Sequence, residues 1–103
     1  MFGFSRDKAF AAQLVTALTK DLPPTAMDLS KGNVSVNKIT RQLEKTYLAA
    51  TAYQKEHKPG FMRRAILANN FRWGLKSAGY TDDFIAIATE GLVVELSKAL
   101  RPS

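Results

Sequence analysis

The chain has 103 residues, 46% hydrophobic and 23% charged, with fifteen Lys plus Arg against nine Asp plus Glu and a net charge of +6. That length and composition fit one globular domain over residues 1–103 and exclude disorder as the state of the whole chain. With no cysteine and a single histidine, His57, disulfide frameworks, thiol chemistry and Cys- or multi-His zinc sites are excluded as well.

Ser5 stands ahead of Phe10, Leu14, Ala17 and Leu18, apolar residues spaced by three and four, and Pro23-Pro24 stops the pattern. The first helix is therefore expected over about 6–21, directly after Ser5. Met1 to Lys20 has the charged start of a leader, but Asp7, Gln13 and Thr16 interrupt its apolar stretch, so it reads as a mature helix of a cytoplasmic protein. Residues 22–35 gather Pro23, Pro24, Asp28, Ser30 and Gly32, which set φ, cap and turn the backbone. An irregular connection is expected there, with Met27 and Leu29 tucked onto the core.

From Ser35 onward, Val36, Ile39, Leu43, Tyr47 and Ala50 form one apolar stripe, with Lys38, Arg41 and Lys45 on the opposite side. This predicts an amphipathic helix over about 36–56. Pro59 biases Lys58 out of the helical region and suits the first turn of a third helix over about 60–78, which Gly79 ends by accepting positive φ. Thr81 then caps a fourth helix over about 82–100. Asp82 and Asp83 sit in its first turn, where the helix dipole favours negative charge, and Tyr80 and Ile85 stand at the positions of a hydrophobic staple. Ile85, Ala88, Leu92, Leu96 and Ala99 line its core side, while Phe84, Ile87 and Val94 widen its apolar arc. No alternation suits a sheet and no eighteen-residue apolar run suits a membrane span. The expected fold is all-α, a compact four-helix bundle or an orthogonal helical domain.

Charge is segregated along the chain. Residues 1–30 balance, residues 31–76 carry ten basic against two acidic groups, and residues 77–103 carry two against four. The third helix is the informative one because its apolar residues fall on two sides. At 100° per residue, Met62, Ile66 and Trp73 cluster roughly opposite Leu67, Phe71, Gly74, Leu75 and Ala78, with Ala65, Asn69, Arg72 and Lys76 in the wedge between. Such a helix either lies centrally among its neighbours with the wedge in water, or offers one side to a partner.

The wedge suits an anionic partner. Arg72 and Lys76 can neutralise phosphates and Asn69 can hydrogen-bond a base or sugar. Lys38, Arg41 and Lys45, with Lys55, Lys58, Arg63 and Arg64, would enlarge the patch if helices two and three packed antiparallel, and Tyr53, Phe61 and Trp73 could stack on unpaired bases. The candidate partners are nucleic acid, a nucleoprotein assembly or an acidic protein. The alternative is a helical protein-interaction or self-association domain, a homo-oligomer included, that uses Met62, Ile66 and Trp73 as its interface.

Catalysis is not expected. His57 lies in a polar turn, the Asp82-Asp83 pair reads as a helix start, and Glu90 and Glu95 are five apart and share no helical face for a metal. The glycines form no phosphate or dinucleotide loop, so no cofactor is implied. Gly74 and Gly91 fall inside predicted helices, where each costs about 1 kcal/mol relative to alanine. Close approach of helices three and four at these two positions is the expected reason.

Overall fold

The computed structural model describes residues 3–27, 35–57 and 61–98, with the backbone alone at 3–5, 26–27, 57 and 61–63. Four α-helices pack into a bundle: α1 (Gly3–Asp21), α2 (Val36–His57), α3 (Phe61–Ala78) and α4 (Asp82–Lys98). Among the described residues there is no strand. A short 3₁₀ turn at Pro24–Met27 occupies the start of the expected irregular connection, while Leu29 and the side chain of Met27 lie outside the described residues, as do positions 99 and 100 of the fourth helix.

Local chemistry accounts for the helix ends. Ser35 caps α2, its Oγ accepting from the Lys38 N–H at 3.1 Å. Thr81 caps α4 in the same way, with its Oγ1 3.2 Å from the Phe84 N–H. Gly79 has φ of 103°. Its N–H donates to the Lys76 carbonyl at 3.1 Å and the Tyr80 N–H to the Leu75 carbonyl at 3.2 Å, the paired bonds of a Schellman ending. One boundary differs from expectation. α1 starts at Gly3, ahead of the expected position 6, so the Ser5 backbone lies within the helix. Nothing in Gly3–Ser5 removes a backbone donor, and helical bonding continues through such residues without a side-chain cap.

The helices contact one another in the cyclic order α1, α3, α4, α2. Their directions follow from paired residues. The rings of Phe10 and Tyr53 stack at 4.0 Å, and a cleft joins Leu18 and Asp21 to Gln42 and Lys45, so α1 and α2 are antiparallel. Val15 meets Gly74, and the Tyr80 hydroxyl just beyond α3 donates to the Leu22 carbonyl at 2.5 Å, so α1 and α3 are parallel. Tyr47 donates to the Ala88 carbonyl at 2.9 Å and Gln54 to the Leu96 carbonyl at 3.0 Å, which makes α2 and α4 parallel. α3 turns back antiparallel into α4 through Gly79. Leu14, Leu18, Leu22, Leu67, Phe71, Leu75, Leu92 and Leu96 fill the space between.

Two glycines admit neighbours closely, though not the neighbours expected. A Cβ on Gly74 would lie 2.8 Å from Val15 Cγ2 of α1, and one on Gly91 would collide with the Tyr47 hydroxyl of α2. The expected contact between α3 and α4 at these positions is thus replaced by contacts to α1 and α2. In each case the glycine lets a side chain of the parallel neighbour lie against bare helix backbone. A buried polar pair adds specificity to α1 and α2: Asp7, fully inaccessible, accepts from the Tyr53 hydroxyl at 2.6 Å.

Candidate functional site: the outward face of helix three

α3 buries Leu67, Ala68, Phe71 and Leu75 against its two neighbours. Because α1 and α4 both lie on that side, the opposite half of the helix faces solvent. Ala65, Asn69, Arg72, Trp73 and Lys76 are exposed there and Ile66 is half-buried. The polar wedge and the second apolar side are therefore parts of one outward face. Trp73 retains 51% of its surface, large for an indole.

The Arg72 guanidinium stands 5.3 Å from the centroid of the Trp73 ring, within cation–π range. Lys76 Nζ is 3.9 Å from Asp82 Oδ1, with both side chains well exposed. An exposed pair at that distance is worth little and leaves the ammonium open to another anion. These groups line a cleft of about 330 Å³ between α3 and the start of α4, together with Ile85 and Ala86. Its lining is cationic at Arg72 and Lys76 on the α3 side and, on the α4 side, apolar at Ile85 and Ala86 and acidic at Asp82.

Of the other expected binding residues, Lys38, Arg41, Lys45 and Arg64 do not join this face. α2 and α3 run antiparallel but lie across the bundle from one another, separated by α1 on one side and α4 on the other. Lys38, Arg41 and Lys45 are exposed on α2, and Lys45 lines the α1–α2 cleft. The enlarged patch is thus corrected to two separate basic surfaces. Arg64 is half-buried at a cleft of about 190 Å³ between α3 and α4, beside Val93 and Ser97. The side chains of Arg63, Met62, Phe61 and His57 lie outside the described residues, as does Lys58. Tyr53 is buried against Phe10 and Asp7, so it offers no stacking surface.

Surfaces that sequence reasoning missed lie around α4. Ile87 and Val94 are exposed on its outer side, and Val93 at its border with α3. Leu48 of α2 is exposed beside a cleft of about 420 Å³ lined with Glu44, Tyr47, Thr51 and Glu95. The signal available was the breadth of the apolar arc on α4, which exceeds what one buried side can use.

Burial, and then the nearby Glu95 carboxylate, push the Tyr47 phenol up to about 12. It stays protonated and donates to the Ala88 carbonyl. Tyr80 is raised as well, by burial, with its contact to Thr19 acting in the opposite direction. Asp82 and Asp83 stand exposed in the first turn of α4. Among the described residues no three His, Asp or Glu side chains come together to hold a metal, and no helix is long and apolar enough to cross a membrane.

Fold and surface together define a small all-α four-helix bundle with a basic, aromatic outward helix face. No family model, curated protein or solved structure matches the chain.

Proposed function

We propose that this chain is a small, non-enzymatic helical binding module of the cytoplasm that offers the outward face of α3 to an anionic partner, a nucleic acid or nucleoprotein assembly. The observation that carries this reading is the convergence of Asn69, Arg72, Trp73 and Lys76 on one exposed face. Arg72 and Lys76 supply charge for phosphates, Asn69 supplies a donor and an acceptor for a base edge or sugar, and the indole supplies a stacking plane. Stacking on Trp73 needs an unpaired base, so single strands are preferred over duplex.

The test is fluorescence anisotropy of labelled single-stranded RNA and duplex DNA at low and moderate salt, with the protein and an Arg72→Ala, Lys76→Ala double variant. Loss of two phosphate contacts is expected to reduce the slope of log affinity against log salt by about 1.4 for a single strand. Trp73→Ala is expected to weaken RNA more than duplex. Absence of binding at low salt, or binding indifferent to both variants in folded protein, would overturn the reading.

A second reading, a helical protein-interaction module using the apolar part of the same face, is favoured by the half-exposed Trp73 beside the half-buried Ile66. Aromatic anchors of this kind dominate protein interfaces. Binding of that sort would depend only mildly on salt.

A further inference from the structure

The outer side of α4 carries a stripe that the α3 face does not use. Asp83, Ile87, Val94 and Lys98 are all exposed, and their spacing of four, seven and four residues keeps them within a narrow arc of the helix. That spacing reads the same from either end. Its charges do not: an acid stands at the N-terminal end and a base at the C-terminal end. Two such stripes laid antiparallel about a twofold axis between positions 90 and 91 therefore match one another. Ile87 meets Val94 of the second copy and Asp83 meets Lys98 of the second copy, each contact occurring twice.

The exposed apolar area points the same way. Ile87 and Val94 retain 63% and 52% of their surface, large exposures for β-branched apolar side chains. Together these two side chains leave on the order of 200 Å² open, about a quarter of the roughly 800 Å² each partner contributes to a stable pair, so a weak pairing with a polar rim is the expected form. Lys98 is held 3.4 Å from Glu95 within its own helix and remains well exposed, so its ammonium can serve both carboxylates.

We propose that this stripe is a self-complementary surface through which two copies of the chain pair with their α4 helices antiparallel, as an isologous dimer. The pairing goes beyond the α3 reading and stands on different residues. It also has one built-in weakness. Glu90 is exposed next to the twofold axis, which sets it near its own counterpart, and like charges so placed oppose association.

Analytical ultracentrifugation of the full chain from micromolar to about 1 mM, the weak end of specific association, tests the proposal. A concentration-dependent dimer is expected, abolished by Ile87→Asp and tightened by Glu90→Gln. Asp83→Lys and Lys98→Asp each turn two attractions into two repulsions and are expected to weaken the dimer about tenfold. The double variant D83K/K98D is expected to restore it to within about threefold. Both reversals oppose the helix dipole, so a merely structural role would make the double variant the worst of the set. Circular dichroism melts of every variant separate weakened pairing from weakened folding. A monomer throughout, a dimer indifferent to Ile87→Asp, or a double variant weaker than either single in folded protein would overturn the proposal. None of these outcomes bears on nucleic-acid binding by α3.

Discussion

Replacing Gly74 by alanine probes the contact that positions α3 and its outward face. The new Cβ would stand 2.8 Å from Val15 Cγ2 and 3.5 Å from Val15 Cβ. Val15 is buried, and a β-branched side chain in a helix is largely confined to one χ1 rotamer, so it cannot swing clear. Two terms then compete. Overpacking costs about 1–3 kcal/mol, and removing a glycine from a helix interior gains about 1 kcal/mol. The net expectation is a loss of up to about 2 kcal/mol, or a fall in Tm of up to roughly 10 °C in a domain of this size.

The Val15→Ala background changes the sign. There the alanine at 74 fills space instead of clashing, so only the helical gain of about 1 kcal/mol remains. The two sites are expected to couple by about 1–3 kcal/mol, the range seen for residues in direct contact. Urea unfolding of wild type, both single variants and the double variant measures this, provided the slopes agree so that the midpoints report stability. If Gly74→Ala changes stability equally in both backgrounds, the close approach of α1 and α3 at this position is refuted.

Three further outcomes are expected. Gly79→Ala forces an L side chain to φ of 103° and should cost more than about 1 kcal/mol in urea unfolding, whereas the neutral exchange Ser77→Ala on the exposed side of the same turn should not. Thr81→Ala removes the acceptor for the Phe84 N–H and should cost about 1 kcal/mol, most of which Thr81→Ser should recover. The folded state raises Tyr47 from an ordinary value of 10.0 to about 12, so the neutral phenol favours folding. Its contribution is whole below pH 10 and is lost as pH climbs from 10 through 12. Tyr80 acts in the same sense. Urea midpoints across that window should fall in wild type and fall less steeply in Tyr47→Phe; a flat wild-type profile would refute the assignment.

What was legible in the sequence was what neighbours along the chain decide. The stop at Gly79 and the cap at Thr81 rest on residues within one turn, so their chemistry is written locally. The buried row Leu67, Phe71 and Leu75 follows from helical periodicity alone. Partnership between helices is a different matter. Gly74 and Gly91 announced close approach, but a missing Cβ does not say which helix will use the space, and the occupants proved to be Val15 and Tyr47. Asp7 read as a break in an apolar run, since nothing near it reveals a Tyr53 hydroxyl arriving from 46 residues away. The α3 face was read as two features because periodicity gives angles and not neighbours. Once α1 and α4 occupy one half of the helix, Trp73 and Lys76 share the other.

The helix order also decides what the net charge means. The +6 is not one field. The most basic stretch of the chain supplies α2 and α3, which lie across the bundle, and α4 with its four carboxylates at Asp82, Asp83, Glu90 and Glu95 lies between them. Segregation along the sequence becomes alternation in space. This relieves the repulsion that the eight basic groups of α2 and α3 would create on adjacent helices, and it sets Asp82 beside Lys76 at the edge of the α3 cleft. An anion approaching that face meets two cations and one carboxylate, not a broad basic stripe. Neutralising the carboxylate alone should then strengthen anion binding at α3: Asp82→Asn is expected to tighten single-stranded RNA several-fold at low salt and to lose that advantage at moderate salt, where exposed charges are screened. An affinity unchanged at low salt would place the anion elsewhere than the cleft formed by Arg72, Trp73 and Lys76.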